Sequence, residues 1–304
     1  MTILVLLGVM ASNSHLWAQN TGNIPVPIFT NASVRAEITY VSGTGLYTYN
    51  YSITNPATNT GEIWSIDIDI RQPSYGQALS SDDLTIPHGF ITDSFDESIS
   101  DFKGLNITTM VPVGITVPSG WGGDLGVRGV AGFSSNNDSP NILPGETKGG
   151  FQLISRGLPA IRNIEIQPWW IMAVNEEATD EDANIGRATI KSLKYTTKTI
   201  GPTTPPRDFN ARDFLDIIKG YIDESVTLGW IIDSTLAASL KTNLDSARSL
   251  IETDDTSSAK VSLGEMMDLI NNATSSQLTS EARGLLFYNI KYTKDALPGR
   301  SGQD

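Results

Sequence analysis

Apolar and polar side chains alternate along the chain from about Ser33 to about Ile200. In LYTYNYSITN, Leu46 to Asn55, Tyr47, Tyr49, Tyr51 and Ile53 alternate with Thr48, Asn50, Ser52 and Thr54, which predicts a strand with one buried face. IWSIDIDI continues the pattern, with Trp64, Ile66, Ile68 and Ile70 expected on one side and Ser65, Asp67 and Asp69 on the other. Between these two runs, NPATNTGE collects the Asn, Thr, Gly and Pro of a turn. Similar runs predict strands over Ser33 to Val41, Leu105 to Val111, Val127 to Phe133, Gly149 to Ser155, Ile161 to Ala173 and Arg187 to Lys198. Short alternating strands with turns between them and no helical pattern predict an antiparallel β-sandwich over residues 28–200.

GPTTPP, Gly201 to Pro206, ends this regime and predicts a stiff linker over 201–207. Beyond it the apolar period becomes 3.6. Phe214, Ile217, Ile218, Tyr221 and Ile222 share one helical face, and Leu236, Leu240, Leu244, Ala247 and Ile251 share a second, opened by Asp233 or Ser234 as a cap. Ala259, Leu263, Met266, Met267 and Ile270 mark a third. Ala282, Leu285, Leu286, Asn289 and Ile290 mark a fourth, with Thr279 placed to cap it and Glu281 at its positive end. Four amphipathic helices with short connections predict a small antiparallel bundle over 208–297 with an Ile, Leu, Ala and Met core, and 298–304 reads as a frayed tail. The expected fold is therefore multidomain β plus α.

The helical segment also carries a resemblance. LGWI at Leu228 to Ile231, Ser239 and Leu240, Leu244, Ala247, Leu250, Ala259, Leu263, Ile270 and LTSEARGLL at Leu278 to Leu286 resemble the FIMAH domain over about Asn210 to Leu297. That family is a helical module of exported and cell-surface bacterial and archaeal proteins, so the resemblance implies an accessory domain in such a setting and transfers no catalytic residue. The connection ETDDTSSAK is acidic here, where the family has a short Gly-containing turn. In the β-region, YTYNYSITN followed by ILPGETKGGFQLISRGLP resembles immunoglobulin-like domains of exported microbial proteins.

Charge and composition narrow the function. With 34 acidic and 21 basic residues the formal net charge is −13, which argues against attraction to nucleic acid or an anionic membrane surface. There is no cysteine, so disulfides, thiolate metal sites and cysteine nucleophiles are out. The two histidines, His15 and His88, cannot furnish a multi-histidine metal site. The apolar run Ile3 to Met10 and the small residue before Gln19 predict a leader over 1–18, hence a secreted, periplasmic or cell-surface protein. No other stretch reaches the length of a membrane span.

Candidate chemistry is sparse. Asp180, Asp182 and Asn184 have the first, third and fifth spacing of a calcium loop, but Ile185 stands where the turn glycine belongs and Lys191 where the bidentate Glu belongs. Calcium is the one cofactor the sequence brings into view. Asp67 and Asp69 share a strand face, and with Asp93 they are the carboxylates a glycan hydrolase would use. His88 has no G-x-S-x-G partner for nucleophilic chemistry. Trp121, Trp169 and Trp170 are candidate stacking surfaces for a sugar ring or a partner protein: Trp121 reads as a loop residue between glycines, and Trp169 and Trp170 as neighbours facing opposite ways. The expectation is a non-catalytic, exported binding protein recognising carbohydrate or a surface protein through its β-region. The alternatives are an extracellular glycan hydrolase and a calcium-stabilised adhesin-like module.

Overall fold

The computed structural model describes residues 26–70, 114–125, 130–136, 141–170, 188–203, 205–206 and 208–298. Two antiparallel sheets and five helices make up these residues. The first sheet has the order β1 (Ser33–Val41), β2 (Leu46–Thr54), β7 (Thr147–Ser155), β4 (Gly114–Thr116). The second has the order β5 (Trp121–Leu125), β6 (Val130–Ser135), β3 (Ile63–Asp69), β8 (Leu158–Pro168), β9 (Tyr195–Thr203). Helix α1 is a short one at 188–193, followed by α2 (Ala211–Thr227), α3 (Ser234–Glu252), α4 (Thr256–Asn272) and α5 (Ser280–Ala296).

The two sheets face each other across interlocked aromatic rings. Tyr47, Tyr49, Tyr51 and Ile53 are buried as the alternation of β2 requires. Phe133 of β6 lies 5.4 Å from Phe151 of β7, and Trp121 of β5 lies 4.9 Å from the same Phe151, both edge-on. Each large apolar side chain removed from water this way contributes about 1.5–3 kcal/mol. The buried tyrosines keep their hydroxyls paired, Tyr49 donating to Gly157 C=O and Tyr51 to Ile200 C=O.

Several segments depart from the sequence pattern for identifiable reasons. A bulge between Ile63 and Ser65 sets both Trp64 and Ser65 outside, so Ile63 takes the core position that alternation assigns to Trp64. WGGDL, Trp121 to Leu125, forms strand β5 despite its glycines, because β4 packs over it: a Cβ on Gly123 would stand 2.9 Å from Ile115 Cδ1. Of the stretch expected as one strand, Arg187 to Lys198, residues 188–193 are helical and the strand begins at Tyr195. β9 then runs on through Gly201, Pro202 and Thr203, paired with Leu158 to Ala160, so three residues of the expected linker belong to the sheet. Leu105 to Val111 and the expected leader over 1–18 lie outside the described residues.

The helices follow their caps. Asn210 accepts from the N–H groups of Arg212 and Asp213, and Asp233 from those of Thr235 and Leu236. Between α2 and α3 the chain turns at Gly229, whose φ of 71° only glycine adopts without strain, and Trp230 N–H donates to Ser225 C=O in the six-to-one bond of a Schellman motif. Successive helices pack on one another and α2 returns to α5. Their apolar faces are buried as the period predicts, but the core is not purely apolar: Ser225, Glu281, Asn289 and Thr293 are buried too.

These polar residues belong largely to α5, which packs against β1, β8 and β9. β1 is a sheet edge, and its outward Ala36 N–H donates to Glu281 Oε1 at 2.7 Å. Glu281 thus serves the strand, while Thr279 occupies the cap position of α5 without making the cap bond. Asn289 Nδ2 donates to Pro159 C=O at 2.8 Å, and Tyr288 stacks edge-on to Tyr47 at 5.4 Å. Gly284 lets α5 approach so closely that a Cβ there would meet Ile38 Cδ1 at 2.4 Å. A helix that supplies acceptors and apolar cover to an edge strand removes a template for unwanted pairing.

Candidate functional site

The outer face of the second sheet is where the described residues gather binding chemistry. Because Ile66, Ile68, Phe133, Ile164 and Ile166 point inward, period two sends Ser65, Asp67 and Asp69 of β3, Gly132 and Ser134 of β6, and Asn163, Glu165 and Gln167 of β8 outward. Strand register arranges them in rows. Gly122, Ser134, Ser65 and Gln167 are cross-strand partners in one row, and Asp124, Gly132, Asp67 and Glu165 in the next. Adjacent strands are about 4.8 Å apart and adjacent rows roughly 6.5–7 Å. Along β6 this leaves a floor of glycine and serine: a Cβ on Gly132 would come within 3.1 Å of Asp67 Oδ1.

Aromatic rings close one end of this face. Trp169 follows Pro168 at the end of β8 and is 41% exposed, and its ring meets that of Trp64 edge-on at 5.8 Å. The bulge in β3 creates this pair by turning Trp64 outward. Trp169 N–H is anchored on Glu62 C=O, and a polar chain runs beside it, with Ser135 Oγ donating to Asn141 Oδ1 and Asn141 Nδ2 to Glu62 Oε2. Trp170 is half-buried, its Nε1 enclosed without a hydrogen-bond partner among the described residues.

The candidates from sequence separate accordingly. Trp169 is exposed and Trp170 largely covered. Trp121 is no loop residue and no stacking surface: at 4% exposure it belongs to the core, its position in β5 dictated by register. Asp67 and Asp69 are half-buried on the outer face of β3, and Asp67 stands directly across from Glu165, itself 2.6 Å from Lys194 Nζ. Asp93, His88, Asp180, Asp182 and Asn184 lie outside the described residues. Among the described residues no group of three His, Cys, Asp or Glu is placed to hold a metal ion, and no helix is long and apolar enough to cross a membrane. Trp64 is the residue the sequence reading missed, since alternation alone placed it inside.

Elsewhere, a cavity of about 430 Å³ opens at the end of the helices, lined among others by Phe209, Arg212, Ile251, Glu252 and Leu297. No carboxylate of the sheet face takes part in it. No family model matches the chain, so the FIMAH resemblance stands on the quoted residues alone. No curated protein matches it either. Among solved structures, an uncharacterized protein from Nocardia farcinica with an immunoglobulin-like fold aligns over 57% of this chain and 98% of its own, at 8% identity and a TM-score of 0.28.

Proposed function

We propose that the two facing sheets are an immunoglobulin-like sandwich, that α2–α5 form a FIMAH-like antiparallel bundle serving as its accessory domain, and that the whole is a non-catalytic, exported or cell-surface binding protein. Its ligand is a carbohydrate, held on the outer face of the second sheet. The observation that carries this reading is Trp169, an exposed indole set beside Trp64 at the head of rows of small polar and carboxylate side chains. An indole offers a flat apolar surface to a sugar ring, and Ser65, Ser134, Gln167 and Asp67 offer the hydrogen-bonding groups that hydroxyls require. The strongly acidic chain weighs against nucleic acid.

A glycan array with the wild type and Trp169→Ala is the direct test. Retained folding by circular dichroism with lost glycan signal is the expected result for Trp169→Ala, whereas equal signal from both proteins would remove the aromatic platform from the account. A second reading, glycan hydrolysis, draws on Asp67 and Glu165 standing opposite each other. Reducing-sugar release that Asp67→Asn abolishes would install that reading in place of simple binding.

A further inference from the structure

Resting on the binding reading, we infer that the ligand is an uncharged, extended glycan laid across the strands of the second sheet, from Gln167 on β8 to Asn136 just past β6. Unpaired hydrogen-bonding groups carry the argument. Gln167, Ser65 and Ser134 stand in one cross-strand row of the outer face. Asn136 extends the row over β5, where a Cβ on Gly122 would lie 3.4 Å from Asn136 Oδ1 and 4.0 Å from Ser134 Oγ. Among the described residues, none of these four side chains has a hydrogen-bond partner. The charged groups nearby are engaged: Glu165 pairs with Lys194 at 2.6 Å, Lys198 pairs with Glu224 at 3.8 Å, and Asp67 and Asp69 have partners of their own. What the row offers a ligand is a line of uncharged hydroxyl and amide groups.

Those groups match the hydroxyls of a neutral sugar. They hold no counter-charge for a carboxylate, sulfate or ammonium group, whose desolvation against them would go uncompensated. Trp169 and Trp64 flank the row where it crosses β8 and β3. A pyranose with equatorial substituents carries C–H groups on its faces and hydroxyls around its rim, so one face lies on an indole while the rim meets Gln167 and Ser65. The row crosses four strands, β8, β3, β6 and β5, three spacings of about 4.8 Å or roughly 14 Å in all. An extended, equatorially linked chain advances per sugar by a distance close to one such spacing, so each strand faces one sugar. The last sugar lies over Gly122, which has no side chain to obstruct it.

The test is calorimetric titration of the full chain with β-1,4-linked oligomers of glucose, xylose and mannose, as dimers, tetramers and hexamers. Tetramers of a β-linked uronic acid and of glucosamine, in slightly acid buffer, are the charged comparison. A neutral series is expected to bind with affinity rising about tenfold or more from dimer to tetramer and little beyond, and the charged tetramers about tenfold more weakly. Ser134→Ala with Asn136→Ala, at the far end, should weaken the tetramer about tenfold, the scale of two hydrogen bonds, and leave the dimer unchanged. Trp169→Ala should weaken every length. Equal or tighter binding of a charged tetramer overturns the neutral-ligand inference but keeps the binding function. Affinity that stops rising at the dimer, or a tetramer indifferent to the far-end pair, overturns the course over β6 and β5 in the same way. No binding of these oligomers, with a different sugar found on the glycan array, overturns the extended-chain inference alone, and silence in both experiments removes the binding reading as well.

Discussion

The junction between α5 and β1 makes a sharp prediction through two glycines that sit in helices under opposite conditions. Gly220 in α2 has open space around the position of a Cβ, so Gly220→Ala should gain the helix propensity of alanine, about 1 kcal/mol. Gly284 in α5 would gain the same amount, but its new Cβ would lie 2.4 Å from Ile38 Cδ1, 3.1 Å from Cβ and 3.2 Å from Cγ1. The Cδ1 can swing away. The Cβ is fixed to the backbone of β1, so helix and strand must separate slightly, an overpacking strain of about 1–3 kcal/mol. Gly284→Ala should therefore end about 1–3 kcal/mol below Gly220→Ala in stability, or several degrees in Tm. Urea unfolding read by far-ultraviolet circular dichroism and by tryptophan fluorescence measures the difference in both helices and sheets. Ile38→Val, which deletes the clashing Cδ1, should couple favourably to Gly284→Ala by about 0.5 kcal/mol or more in a double-mutant cycle. If Gly284→Ala stabilises as much as Gly220→Ala, or the cycle is additive, the close approach of α5 to β1 is refuted.

Two further outcomes follow from the same contacts. Glu281→Ala leaves the buried Ala36 N–H without its acceptor and should cost about 1–3 kcal/mol, with faster amide exchange at Ala36, whereas Glu281→Gln keeps an acceptor oxygen and should restore most of the protection. Asp233 has its pKa held below the usual carboxylate value by hydrogen bonds from Gln277 and from the N–H groups of Leu236 and Thr235. A depressed folded pKa means this stabilisation is complete above about pH 4, the value in the unfolded chain, and is lost as pH falls through the folded value. Wild type and Asp233→Asn should therefore differ in Tm at neutral pH and converge in acid.

How much the sequence reveals depends on the range of the interaction that decides each element. Tyr47, Tyr49 and Tyr51 declare the buried face of β2 because alternation is a local signal, and the helical faces around Leu240 and Leu263 are equally plain. β5 was hidden because glycine normally argues against a strand, and its reason for being one is the side chain of Ile115 packed over Gly123. The aromatic pair was half visible. Trp169 could be read as exposed, but Trp64 is turned outward by a bulge whose cause is the pairing of Ile63 with Pro168 and Ser65 with Gln167, more than 100 residues along the chain. Glu281 and Asn289 look like helix-terminus and helix-face residues in isolation. Their partners, Ala36 and Pro159, are set by how α5 docks on the strands, which no local pattern encodes.

The lateral seal made by α5 also orders events during synthesis. Ala36 emerges from the ribosome 245 residues before the Glu281 that accepts its N–H. At about 5–20 residues per second, the outer edge of β1 waits roughly 10–50 s for its cover. For that interval the nascent chain presents an open strand edge, and any truncation that ends before α5 would make the interval permanent. The last helix thus sets when the first strand becomes safe from pairing with another chain.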